Sequence, residues 1–231
     1  MDKPFLLSDS LMCMDPLCVG EQLAVLDKYM DCHHADVMDG HFCPNLMLGP
    51  DFIKAVCSVT EKPVDVHLMT ERPQDWIEVF ADAGAAMISV HAETIERGAF
   101  RLFREIRERG CKVGLVLNPF TPFDAAQCVI DEIDRLTVMT VDPGYAGQPM
   151  IPQTVKKIRQ AADFKRQSGL RYEIQIDGCC NKNTYALYRE AGAEMLVMGS
   201  GLFGLDKDLR RALSLMRQQQ SEAEVRRVCH D

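Results

Sequence analysis

Eight residues, His34-Ala35-Asp36-Val37-Met38-Asp39-Gly40-His41, hold two imidazoles and two carboxylates, and they open as an alternating segment. In a β-strand residues two apart point the same way, so His34, Asp36 and Met38 share one face while Ala35 and Val37 take the other. A histidine beside a carboxylate is hard to bury unless the two are paired or bind a cation. The segment therefore reads either as a metal site or as a polar strand end with a satisfied histidine. Two further stretches bear on the choice. Val64-Asp65-Val66-His67-Leu68-Met69 places His67 near its end, and Ile174-Gln175-Ile176-Asp177-Gly178 ends in a carboxylate. The set His34, Asp36, His67 and Asp177 suits Zn2+, Fe2+, Mn2+ or Co2+, and the residue types do not choose among them.

A different chemistry collects in the second half. Asp142-Pro143-Gly144-Tyr145-Ala146-Gly147-Gln148, Asp177-Gly178 and Gly199-Ser200-Gly201 each follow an apolar run. Glycines at such places let backbone N–H groups approach an anion, and a short helix starting near Gly201 would aim its N-terminus the same way. Met38, Met69 and Met139 fall at or near the ends of three apolar runs. Each alone is ordinary core filler; together they form a soft apolar collar, which around an oxyanion would lower the dielectric and strengthen a cation's pull.

These groups must be held by the elements between them. Short apolar runs alternate with longer amphipathic ones, in eight pairs. The strands are expected at Phe5 to Ser10, His34 to Met38, Val64 to Met69, Met87 to His91, Val113 to Leu117, Leu136 to Val141, Tyr172 to Asp177 and Met195 to Gly199. The helices are expected near Gly20 to Met30, Asp51 to Ser58, Pro73 to Ala83, Ala99 to Glu108, Phe123 to Ile133, Pro152 to Ser168, Thr184 to Ala191 and Asp206 to Gln218. Strict alternation implies parallel strands with helical crossovers, and eight repeats in this length fit an α/β fold of one closed (β/α)8 TIM barrel. In that fold reactive side chains sit at the C-terminal strand ends, where all the residues above fall, and phosphate is often held by the loops after strands seven and eight. Ala83-Gly84-Ala85 and Ala191-Gly192-Ala193 each supply a glycine to stop a helix before a strand. Residues 1–231 read as a single domain, with Gln219 to Asp231 a frayed helical tail.

Composition excludes several classes. The chain carries 26 basic residues scattered among 34 acidic ones, for a net charge of -8, which argues against a nucleic-acid surface. No apolar run approaches the ~20 residues that cross a bilayer, so no membrane partner is expected. Ten cysteines without a CxxC pair, behind no secretory leader, read as reduced thiols of a cytoplasmic protein. The expected partner is a small molecule, and the chain is expected to form a homo-oligomer.

Several segments resemble those of the ribulose-phosphate 3-epimerase family. They are Ser10-Leu11-Met12-Cys13-Met14-Asp15, His34 through Asn45, Asp65 through Met69, Met139 through Gln148, and Asp177-Gly178, and the likeness runs in order from about Leu6 to Phe203. Within the family, the Met-Cys-Met-Asp run, Leu117-Asn118-Pro119 and Asp177-Gly178-Cys179-Cys180-Asn181 look closest to D-allulose-6-phosphate 3-epimerases. The resemblance implies a metal-dependent epimerase acting at C3 of a phosphorylated ketose. His34, Asp36, His67 and Asp177 would hold one divalent cation that binds the C2 and C3 oxygens of the substrate. Asp36 and Asp177 would alternate as base and acid across a planar enediolate. Ser10 and His67 would contact the reacting end of the substrate, and Gly144, Tyr145, Ala146, Gly147, Gly178, Cys179, Gly199 and Ser200 would hold the phosphate. Allulose 6-phosphate is the expected substrate, with D-ribulose 5-phosphate as the alternative.

The sequence departs from the family at Asp9, where Pro is usual, at Cys179 and Tyr145-Ala146, where the pentose-phosphate enzymes carry Gly and Phe-Gly, and at Met198-Gly199, where the allulose branch carries Gly-Thr. A barrel that binds sugar phosphate without turnover would have little use for both Asp36 and Asp177. A lyase or decarboxylase on the same barrel would not need the second carboxylate.

Overall fold

The computed structural model describes residues 4–228, with side chains described to residue 223. Eight strands, β1 (Leu6–Ser10), β2 (Cys32–Asp39), β3 (Val64–Met69), β4 (Met87–His91), β5 (Lys112–Leu117), β6 (Arg135–Met139), β7 (Glu173–Asp177) and β8 (Met195–Met198), pair in parallel with their sequence neighbours. β1 pairs with both β2 and β8, which closes the ring into a (β/α)8 TIM barrel, as the alternation requires.

The pleat divides the strand residues between two surfaces. Outward-facing Ala35, Val37, Val66, Leu68, Ile88, Val90, Leu115, Val138, Ile176 and Leu196 are buried with Ile53, Phe80, Phe103, Ile106 and Ile158 of the surrounding helices, in one continuous core. Inward-facing Met38 and Met69 belong to a separate small cluster with Cys43, and Met139 to another with Val116 and Val141. Lower in the barrel the interior is polar: Asp65, Ser89, Arg135, Thr137 and Gln175 are all buried there.

The strand bounds agree with the sequence reading to within two residues, and β3 and β4 match it end for end. The helices agree less well. Only Ala99–Glu108 matches its expected span throughout, and it is preceded by a short helix, Ala92–Ile95. The single helix expected over Phe123 to Ile133 is two pieces, Asp124–Gln127 and a 3-10 turn at Ile130–Glu132, because Val129 between them leaves helical geometry. Pro73 likewise begins a 3-10 turn, Pro73–Asp75, ahead of the helix Ile77–Asp82. Gly84 and Gly192 both adopt positive φ at +103° and +98°, the helix-stopping role expected of them. The last helix is longer than expected. It runs Leu209–Val228, past Gln218, and Ala223 within the expected tail is buried; residues 229–231 lie outside the described residues. A two-residue antiparallel piece, Leu46–Met47, pairs with the end of β2 and was not anticipated.

Candidate active site and metal centre

Register brings the four titratable residues to one level. Asp36 pairs with His67 across β2 and β3, and β7 delivers Asp177 from two strands beyond β1. One ligand atom from each of His34, Asp36, His67 and Asp177 lies within 4.8 Å of the other three. His34 Nε2 is 3.2 Å from His67 Nδ1; Asp36 Oδ1 is 3.4 Å and 3.2 Å from these nitrogens, and Asp177 Oδ2 is 3.7 Å from each. Two nitrogens and two oxygens converging on a point, three of the residues buried and Asp177 nearly so, are a donor set that fits one first-row divalent cation.

The electrostatics separate the two carboxylates. Burial disfavours charge on Asp36, but the neighbouring His34 and His67 hold its carboxyl far below the usual carboxylate range. Burial, together with the negative charge of Asp36, pushes Asp177 up to about 6. Burial also works against a charged His34, yet Asp36 and Asp65 raise its pKa well above the ordinary imidazole value.

Groups behind the four set their orientation. His34 Nδ1 lies 3.3 Å from Asp65 Oδ2, so the carboxylate turns Nε2 toward the centre. Asp65 is in turn fixed by the Ser89 hydroxyl at 2.6 Å and by Arg135 at 2.9 Å. The Ser10 hydroxyl donates to Asp36 Oδ2 at 2.9 Å. Asp65 was legible in the sequence as the residue two before His67, on the same strand face. His91, which stands behind His67, carried a signal only as the last residue of the expected strand Met87 to His91, and Glu93 beyond it carried none.

Above the four lies an open cleft. Ser10, Asp36, Met38, Met69, Met139, Gly144, Tyr145, Ala146, Gly147, Asp177, Gly178, Cys179, Gly199 and Ser200 all line it, with His34 and His67 buried beneath. Met12, Cys13, Gln148 and Gly201, which the sequence placed in these loops without a role of their own, also line it. No Lys or Arg is among the lining residues, so an anion there would meet backbone N–H groups and the Ser200 hydroxyl. Gly201 is required by close approach, since a Cβ on it would stand 2.0 Å from the Cys180 carbonyl oxygen. The loops after β2 and β6 are tied across the mouth: Asn45 Nδ2 donates to the Gly144 carbonyl at 2.8 Å, and the Tyr145 hydroxyl donates to the Pro44 carbonyl.

The unusual residues find places. Asp9, next to inward-facing Ser10, points outward, fully buried, with its Oδ1 2.7 Å from His33 Nδ1. The other side of that imidazole meets Asp27 at 2.9 Å and Thr60 at 3.1 Å. Its charge is therefore spent outside the barrel and not beside Ser10. Cys179 takes φ +48°, a backbone conformation that favours glycine, and packs against Val116, Met139 and Val141.

All nine described cysteines are free. No helix among the described residues is long and apolar enough to cross a membrane.

The sequence model of the Ribulose-phosphate 3 epimerase family matches residues 6–203. The ribulose-phosphate 3-epimerase of Bacillus subtilis (strain 168) is 41% identical over 215 residues, covering 91% of this chain and 97% of its own. That of Escherichia coli K12 is 36% identical over 231 residues, covering 99% and 100%. Among solved structures, a mutant tryptophan synthase alpha-subunit from Pyrococcus furiosus superimposes with a TM-score of 0.66 at 13% identity, over 95% of this chain and 97% of that one, a likeness of fold alone.

Proposed function

We propose, from the premise that this chain belongs to the ribulose-phosphate 3-epimerase family, that it interconverts D-ribulose 5-phosphate and D-xylulose 5-phosphate. That it is a carbohydrate epimerase acting on a phosphorylated sugar follows from the family; the pentulose is our reading. The allulose 6-phosphate reading rested on short runs such as Leu117-Asn118-Pro119, whereas the relatives similar over nine-tenths of the chain carry the pentulose name.

The observation that carries the mechanism is the convergence of two carboxylates, Asp36 and Asp177, on one donor cluster at the floor of the cleft. Epimerisation at C3 must take a proton from one face and return one to the other, so it needs a proton-carrying group on each face. Asp36 Oδ2, held by Ser10, and Asp177 would serve the two faces of the enediolate and exchange roles with the direction of reaction. A divalent cation held by His34, Asp36, His67 and Asp177 would supply the positive charge that stabilises the enediolate oxygens. Met38, Met69 and Met139 exclude water from the reacting end, which strengthens these electrostatic effects. Gly144 to Gly147, Gly178, Cys179, Gly199 and Ser200 would hold the phosphate and position C3.

The test is a comparison of kcat/KM for the metal-loaded protein with ribulose 5-phosphate and with allulose 6-phosphate. A clear preference for ribulose 5-phosphate supports the reading; a preference for allulose 6-phosphate overturns it in favour of the hexulose.

A further inference from the structure

His67 is one end of a buried polar chain. Its Nδ1 faces Asp36 and Asp177, and its Nε2 lies 2.8 Å from His91 Nε2, with the two rings stacked at 4.9 Å between centroids. His91, at the end of β4, is fully buried and covered on its other side by the Phe42 ring at 4.4 Å. Its Nδ1 lies 3.3 Å from Glu93 Oε2, and neither atom has another hydrogen-bond partner among the described residues. The second oxygen of Glu93 is anchored from the next crossover, by the Asn118 backbone N–H at 3.1 Å and by the Thr121 hydroxyl. Lys157 braces that turn by donating to the carbonyls of Asn118 and of Pro119. The chain thus runs from the donor cluster to Leu117-Asn118-Pro119, a motif with no place in the mechanism above.

Proton counting gives this chain a direction. Two ring nitrogens 2.8 Å apart must share one proton between them. If His67 Nδ1 is to offer a lone pair to a cation, neutral His67 carries its proton on Nε2, and His91 Nε2 must accept it. Neutral His91 then carries its own proton on Nδ1, which faces the Glu93 carboxylate. Each protonation state is fixed by the next, and the fixed end is an anchored anion. His34 is oriented by one carboxylate directly, through Asp65. For His67 the same device is extended by one imidazole.

We propose that Glu93 and His91 are positioning residues that lock His67 in its Nε2–H tautomer and so set the affinity of the His34/Asp36/His67/Asp177 centre for a divalent cation. The proposal rests on the cation-binding reading of that centre. Groups behind a metal ligand typically contribute about 10–100-fold to metal affinity.

The test measures Zn2+ dissociation constants by chelator competition for the full chain, with the melting temperature of the metal-stripped protein alongside. His91→Leu, which removes the acceptor, is expected to weaken Zn2+ binding about 10–100-fold. His91→Gln, whose carbonyl can accept the His67 proton, is expected to recover part of that loss. Glu93→Gln keeps the shape but removes the charge and is expected to fall between wild type and His91→Leu. Unchanged Zn2+ affinity in all three would overturn the proposal while leaving the centre intact. Wild-type protein that binds no Zn2+, Mn2+, Co2+ or Fe2+ would overturn the centre and the proposal together. Nitrogen-15 histidine spectra of the Zn2+-loaded wild type give an arm that needs no variant. They should show His91 protonated on Nδ1 and bare on Nε2, and the opposite tautomer or a doubly protonated ring would contradict the inference.

Discussion

Asp36 and Asp177 face the same two imidazole nitrogens, at 3.2 to 3.4 Å for one and 3.7 Å for the other, yet their proton affinities move in opposite directions. Asp36, despite burial, is held ionised by His34 and His67; Asp177, buried and repelled by Asp36, is raised to about 6. The two carboxylates thus sit in different electrostatic surroundings although they share one donor cluster.

The raised Asp177 makes cation binding pH-dependent. In the metal-stripped fold this group binds a proton below about pH 6, whereas in the unfolded chain it does so only near the ordinary carboxylate value. The native state therefore holds more protons between those two values, and the stability this group contributes is lost as pH rises through that window. A cation competes with the same proton, so its stabilising effect should grow over the same range. The rise in melting temperature on adding Zn2+ is expected to be larger at about pH 7 than at about pH 5. Differential scanning calorimetry checks this; an equal rise at both values would contradict it.

Asp9 and His33 form a buried pair outside the barrel, remote in role from catalysis. Asp9→Ala leaves His33 Nδ1 without its partner while Asp27 and Thr60 still face the other side of the ring, and is expected to destabilise the fold by about 1–3 kcal/mol, the range for leaving a buried donor unsatisfied. Asp9→Asn, which can still hydrogen-bond the imidazole, should cost less. The kcat of protein that remains folded should be near wild type, because Ser10 still donates to Asp36. Urea denaturation together with initial rates separates the two effects.

The proposed phosphate cradle offers no cationic side chain, but its backbone is closely fitted. Phosphorylated ketose should be preferred over the free sugar by at least about 10²-fold in kcat/KM, since the remote dianion supplies the energy that positions C3. Gly201→Ala, which forces a Cβ against the Cys180 carbonyl, should shrink that preference. Comparable kcat/KM for ribulose and its 5-phosphate in the wild type would remove the cradle from the account.

Much of this site was legible because it lies on strands. The alternation in His34-Ala35-Asp36-Val37-Met38 places the imidazole, the carboxylate and the methionine inside and Ala35 and Val37 in the outer core, and that is what the structure contains. His67 and Asp177 follow from the same period-two rule applied to β3 and β7. What escaped the sequence depends on contacts between distant segments. Nothing local to Ser89-Val90-His91-Ala92-Glu93 says that His91 meets His67, or that Glu93 is anchored by Asn118 and Thr121. Helix lengths escaped for a related reason: the break at Val129 and the continuation past Gln218 are set by packing onto neighbouring helices, which periodicity alone does not report.

The central claim is that two carboxylates exchange protons with opposite faces of C3, and heavy water tests it most directly. Wild-type protein loaded with metal should wash deuterium into C3 of both ribulose 5-phosphate and xylulose 5-phosphate while interconverting them. Asp36→Asn and Asp177→Asn should each lower the epimerisation kcat by at least about 10²-fold, the lower scale for an acid–base group. With metal content matched, each variant should still exchange C3 of the one epimer whose base it retains. Epimerisation by Asp177→Asn at near the wild-type rate, with its metal content unchanged, would contradict the two-carboxylate account.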